Sequence, residues 1–175
     1  VYSDWQKVGE VDIDGGQLEI LGAFAHKQIV DDFTKQLIEA HFVVTAMEIP
    51  GLALGKLINP EVTANRLQSV VLFRLSSSGL SFSILRNGSL YFNHFVPWQA
   101  GKISWTALED MITREAQKVL NFYASHWPST LTGFLLVAPT PELEEKISNL
   151  IADAFSLPVF PLKNFINGQA QRLNL

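Results

Sequence analysis

The chain has no cysteine, which excludes a disulfide framework, a zinc–thiolate site, an iron–sulfur cluster and a cysteine nucleophile. Charge is scarce as well: Asp, Glu, Lys and Arg make up 17% of the 175 residues, against about 25% in ordinary domains. Thirteen Lys plus Arg against seventeen Asp plus Glu give a net charge of −4 and a pI near 5.5. That balance supplies no basic face, so no nucleic-acid partner is expected. Hydrophobic runs such as GFLLVAP fall far short of the roughly 20 residues that span a bilayer, so no direct membrane insertion is expected. The opening VYSDWQKVGEVDIDGGQLEI lacks the basic and apolar blocks of a signal peptide. The first residue is Val rather than Met, which reads as a trimmed chain or a segment of a longer one. With 47% apolar residues, the chain is expected to be soluble and folded, with a sparsely charged surface suited to a permanent partner.

Acids are also missing locally. From Val62 through Leu108 there is no Asp or Glu, only Arg66, Arg74, Arg86, Lys102 and His94. The loop-like Asn59-Pro60-Glu61-Val62-Thr63-Ala64-Asn65 punctuates the chain just before that stretch and divides it into a small α/β subdomain over 1–60, a larger one over 67–162 and a tail over 163–175. In the first, strand-like runs Lys7–Asp12 and Gln17–Ala25 flank Asp14-Gly15-Gly16, whose glycines suit a tight hairpin. A helix follows over Lys27–Ala40, with Ile29, Val30, Phe33 and Leu37 at helical spacing. Phe42–Met47 reads as a buried strand and the run after Pro50 as a short helix, giving the order ββαβα. The second part opens with Ser69–Leu75, then Leu80–Leu85 and Ser89–Val96 around Asn87-Gly88, a strong hairpin signal. A helix over Thr106–Ala124 opens on the capping box Thr106-x-x-Glu109. A buried strand at Thr132–Val137, a helix begun by Thr140-Pro141 with Glu142, Glu144 and Glu145 favourable to its dipole, and a strand at Leu157–Leu162 complete βββαβαβ. Periodicity alone stops at an α/β fold with a mixed sheet; the order, preceded by a smaller α/β layer, resembles half of an actin-like, ribonuclease H-like ATPase.

Three stretches resemble the PilM family, cytoplasmic actin-like proteins of type IV pilus assembly, and more loosely its MshI and GspL relatives. Leu21–Leu57, with VDDFTKQLIEAHF, VVTAMEIP and LALGKL, is similar to the family's strand, helix, strand and helix. Val70–Pro97 is similar to its phosphate-loop hairpin and third strand. Glu115–Tyr123, EAQKVLNFY, is close to its E-x-x-R-S-L-x-F-Y helix, and LPVFPL follows. The resemblance places Arg74, Ser76, Gly79 and Leu80 at the aspartate, glycine and two threonines of the family's D-x-G-x-x-T-T phosphate loop, so a carboxylate that would hold a metal-linked phosphate has become a cation. Val137-Ala138-Pro139-Thr140-Pro141 replaces the adenine-side Gly-Gly loop, and proline supplies no N–H for a nucleotide. Glu115 and Lys118 match the E-x-x-K pair that contacts the adenosine side in actin-like ATPases. The resemblance thus implies a degenerate, non-catalytic scaffold without ATP or Mg²⁺, bound on the cytoplasmic side to a membrane-anchored, PilN-like tail and peripheral to the inner membrane through that partner, with a homo-oligomer left open. The family's partner groove lies against a part without counterpart here, so no partner-binding residue carries over. The alternative is a divergent ATP-binding protein or ATPase whose phosphate site another segment or chain completes.

Other chemistry finds less support. The acid-free stretch lacks the carboxylates that a two-metal nuclease needs. His26, His41, His94 and His126 are too widely spaced for a metal set, and His41 suits the end of a helix. Ser76-Ser77-Ser78-Gly79 has no G-x-S-x-G elbow and reads as a turn. Exposed at i, i+3, Glu115 and Lys118 also fit an ordinary solvated helix face. Trp98, Trp105 and Trp127 flank the main helix, as core plugs or as interface anchors.

Overall fold

The computed structural model describes residues 1–11, 17–58, 68–98 and 103–166. Strands β1 (Tyr2–Val11) and β2 (Gln17–Ala25) form an antiparallel two-stranded sheet with Trp5 opposite Gly22 and Lys7 opposite Ile20. Strand β1 starts five residues earlier than the alternation at Lys7 predicts, and the Asp14-Gly15-Gly16 turn lies outside the described residues. Helix α1 (Lys27–Glu39) follows the hairpin. It ends where His41 turns left-handed at φ 65°, so that Phe42 N–H reaches the Leu37 carbonyl at 2.9 Å and His41 N–H that of Ile38 at 2.9 Å. This is the Schellman pattern, with histidine in the place that glycine commonly fills.

The expected strand at Phe42–Met47 is absent: residues 42–49 have no regular structure, and Phe42, Val43 and Met47 are exposed. A strand needs a neighbour for its backbone groups, and among the described residues of this part the sheet consists of the β1–β2 pair. The ββαβα order is therefore ββαα among the described residues, ending in α2 (Pro50–Leu57). The proposed boundary loop lies outside the described residues, as does the tail beyond residue 166.

The main sheet has the order β5-β4-β3-β6-β7. Strands β3 (Ser69–Ser76), β4 (Gly79–Arg86) and β5 (Ser89–Pro97) form the predicted antiparallel meander. Its second turn has positive φ at both Asn87 (49°) and Gly88 (80°), as a type I′ hairpin requires. Strands β6 (Gly133–Val137) and β7 (Val159–Pro161) add in parallel through helices α3 (Trp105–His126) and α4 (Pro141–Phe155). A 3₁₀ turn at Leu162–Phe165 follows, and Ile166 bridges Ile58.

Val71, Phe73, Phe82, Ile84, Phe134 and Leu136 pack beneath Ile112, Ala116 and Val119 of α3 and Ile147 and Ile151 of α4. On the opposite face Val70, Leu72, Leu85, Leu90 and Leu135 meet Ile58 and Leu162, with Leu52 and Leu54 of α2 alongside. Burial on both faces explains why β3 reads as an unbroken apolar run rather than an alternation. Helix α2 approaches so closely that a Cβ on Gly51 would collide with Ser83 and Asn93.

Candidate functional site

A cavity of about 530 Å³ opens at the carboxyl ends of β3 and β6. Its floor is the end of β3 and the following turn, Leu75, Ser76 and Ser77; Pro139 closes the β6 side. Its walls are Trp98 and Ile103 after β5 and the first turns of the two long helices, with Trp105 and Leu108 on α3 and Leu143 on α4. Those helices converge here because each crossover returns the chain from a carboxyl end of the sheet. The helix α3 is capped by Ser104, whose Oγ accepts from Ala107 N–H at 3.2 Å. The cap is thus two residues before the predicted Thr106, because Trp105 already enters the helix. Thr140 caps α4 by accepting from Leu143 N–H at 3.3 Å, with Pro141 following as expected. Hydrogen bonding from its own backbone N–H and from Thr140 holds the Glu142 carboxyl below its ordinary range, a charge suited to that helix end.

The four residues at the phosphate-loop positions do not act as one cluster. Arg74 is half-buried and, following Val70 and Leu72, shares the α2 face of the sheet, opposite Ser81 in register; its side chain makes no hydrogen bond or ion pair with another described residue. Ser76 lies at the cavity, its Oγ donating to the Gly79 carbonyl at 3.0 Å and its own carbonyl accepting from Trp98 Nε1 at 2.7 Å. Gly79 backs onto the Val96 carbonyl so closely that a side chain could not fit. Leu80 is fully buried in the main core.

Trp98 and Trp105 face the same cavity, whereas Trp127 is at the other end of α3. There its indole N–H donates to Glu19 Oε1 at 3.3 Å, and its ring and that of Tyr91 hold the Arg86 guanidinium at 4.8 and 4.9 Å. Trp127 therefore ties the β1–β2 hairpin to the main sheet.

Glu115 is about 10 Å and Lys118 about 15 Å farther along α3 than Leu108, at 1.5 Å per residue, and neither lines the cavity. Glu115 is not on a solvated face: only 4% of it is exposed. Lys118 Nζ donates to both its oxygens at 2.9 and 3.0 Å, Arg114 Nε donates to it at 3.1 Å, and His94 Nε2 lies 3.0 Å away. Lys118 chiefly, with His94 and Arg114 against the opposing effect of burial, lowers its pKa to about 2. The carboxylate is satisfied within the chain. Sequence reasoning missed His94, although the alternation Phe92, His94, Val96 puts this ring on the strand face that carries core residues; it stacks between Phe82 and Phe92. Pro139 and Leu143 were missed as cavity walls because nothing local joins them to Trp98. Among the described residues no three His, Asp or Glu side chains gather as a metal set.

No family model and no curated protein matches the sequence. Solved structures do match. A ROK-family transcriptional regulator, homologous to the E. coli MLC protein, overlays 75% of this chain and 37% of its own at 16% identity, but its TM-score of 0.46 carries no weight. A chain of the PilM–PilN type IV pilus biogenesis complex overlays 98% of this chain at TM-score 0.73 and 12% identity. The overlay takes in 62% of that chain, so the present chain spans less than two thirds of its length. Identity this low establishes the fold alone: a PilM-like α/β arrangement around a five-stranded mixed sheet with four helices among the described residues.

Proposed function

We propose that the chain is a non-catalytic interaction module of type IV pilus biogenesis, or of a related secretion apparatus, held on the cytoplasmic side by a membrane-anchored partner with a PilN-like tail. The observation that carries this reading is the overlay on the PilM–PilN complex across 98% of the chain. A second feature favours binding over catalysis. Trp5, Ile20 and Phe24 on the hairpin and Ile29 and Phe33 on α1 are all more than half exposed, and α1 has no buried residue. By register Trp5, Ile20 and Phe24 share one face of the hairpin, and exposed apolar side chains grouped in this way mark protein contacts. Among the described residues no helix is long and apolar enough to cross a membrane, which is compatible with tethering through a partner.

The reading also holds that the chain works without ATP or Mg²⁺. Arg74 stands where the family has its phosphate-loop aspartate, Pro139 leaves no N–H in the opposing loop, and Glu115 is engaged by three neighbours. The decisive experiment is a pulldown of membrane-anchored pilus proteins by the purified chain, with and without Mg-ATP. Capture of one such protein irrespective of nucleotide is the expected result; no capture overturns the interaction reading. A rise in melting temperature with micromolar Mg-ATP, abolished by Glu115→Ala and Lys118→Ala, would instead establish a divergent ATP-binding protein.

A further inference from the structure

We infer that the cavity between the first turns of α3 and α4 seats the apolar anchor of a partner peptide whose flanking residues are basic. The space, about 530 Å³, lies within the range of ligand-binding clefts, roughly 300–1,000 Å³. Such clefts hold small molecules through a few convergent polar groups, and here three of the polar lining residues, Ser76, Trp98 and Ser104, already spend a donor or acceptor within the chain, which leaves the Ser77 hydroxyl at the rim. The Trp98 indole N–H is spent on the Ser76 carbonyl, the Ser76 hydroxyl on the Gly79 carbonyl, and the Ser104 hydroxyl on its cap. Among the described lining residues most of the surface offered to an occupant is apolar: the rings of Trp98 and Trp105 and the side chains of Ile103, Leu108 and Leu143. Tryptophan and aliphatic walls of this type receive anchor residues at protein interfaces.

Charge selects the flanks. The first two turns of the helices that wall the cavity carry Glu109, Asp110, Glu142, Glu144 and Glu145. Against them among the described residues stand Lys146, lying over the Trp105 ring at 5.3 Å, and Lys163, bound to Glu144 at 3.1 Å. Each cap already uses one first-turn N–H group, that of Ala107 on α3 and that of Leu143 on α4, which leaves fewer donors for an anion at each helix end. A polyphosphate meets repulsion here and a Lys- or Arg-flanked segment meets attraction. The inference shares with the proposed function only the idea of a protein partner; it concerns a different surface from the hairpin and α1.

The test uses the full chain and two short fluorescent peptides of alternating Phe and Leu, one interspersed with Lys and the other with Glu, read by anisotropy. The Lys peptide is expected to bind about tenfold or more tightly than the Glu peptide, a difference of about 1.4 kcal/mol. Leu143→Lys should weaken it by a similar factor, and Glu142→Lys with Glu145→Lys should reverse the preference. Because a lysine at Leu143 also perturbs the packing of α4, Ile103→Lys on the loop before α3 serves as a second block. Failure of the Lys peptide to bind, equal binding of the two peptides, or indifference to both blocking substitutions overturns the inference. The hairpin variant Trp5→Ser should leave the peptide affinity unchanged. If that variant abolishes binding, the peptide sits on the hairpin surface, so the cavity inference fails while the interaction reading stands.

Discussion

Glu115 shows how a single residue can be misread when only its neighbours in sequence are visible. Lys118 at i+3 suggests an exposed pair of small value, but α3 turns the carboxylate toward β5, where His94 meets it and only 4% of the residue remains exposed. Its pKa falls from 4.5 to about 2. A depressed carboxylate contributes stability that is fully present above its unfolded pKa and lost as pH falls through its folded one. The loss should therefore develop between about pH 4.5 and pH 2 and amount to roughly 2 kcal/mol, discounted because Lys118 and Arg114 are themselves solvent-exposed. Urea midpoints of the wild type should fall across that window more steeply than those of Glu115→Gln, and parallel curves would contradict the burial. Gly51 is a second residue whose role depends on its surroundings. Gly51→Val would drive a side chain into Ser83 and Asn93 and should cost about 1–3 kcal/mol, measurable as a lowered melting temperature, although valine is scarcely foreign to an apolar helix.

At the scale of elements, α3 begins where its cap is satisfied rather than where the sequence pattern is strongest. Ser104→Ala should lower stability by about 1 kcal/mol, whereas Thr106→Ala, at the residue the pattern favours, should be close to neutral; thermal melts of the two variants decide between them. The segment after α1 makes a related point. VVTAM has strong strand propensity, yet propensity expresses fit to a partly buried pleated surface, and residues 42–49 lie beside no strand that would pair with them. The hairpin is likewise an element without a full layer: β1 and β2 pair only with each other, and Trp5, Ile20 and Phe24 face outward. Replacing Trp5 and Phe24 by serine should leave the stability within about 1 kcal/mol of the parent, since little burial is lost, while reducing capture of the proposed partner. Unaltered capture would remove the hairpin from the interface.

Across the whole molecule stability is divided unevenly. The main sheet is sealed by α3 and α4 on one face and by α2 and the 3₁₀ turn on the other, whereas the hairpin and α1 reach it through a few links, among them the Trp127 to Glu19 hydrogen bond and the contact of Gly9 with Tyr91. Amide exchange should accordingly be slowest in β3, β4 and β6 and fastest in α1, because opening of the hairpin unit exposes little buried apolar surface. Uniform protection across both parts would show instead that they unfold as one unit.

The sequence by itself determined the main sheet and its helices. Its cues were local: Asn87-Gly88 for a hairpin, Thr140-Pro141 for a helix start, and unbroken apolar runs for strands covered on both faces. The acid-free stretch from Val62 to Leu108 is likewise legible from the sequence alone. Only the tertiary structure decided which residues meet. It joined His94 to Glu115 across 21 positions, brought Trp98 and Trp105 to one cavity while sending Trp127 to the far end of α3, and separated Arg74 from Leu80 on opposite faces of the sheet. Those outcomes depend on register and on the direction of each crossover, which bring together residues remote in sequence. Periodicity records which side of an element is apolar, and only packing specifies what that side touches.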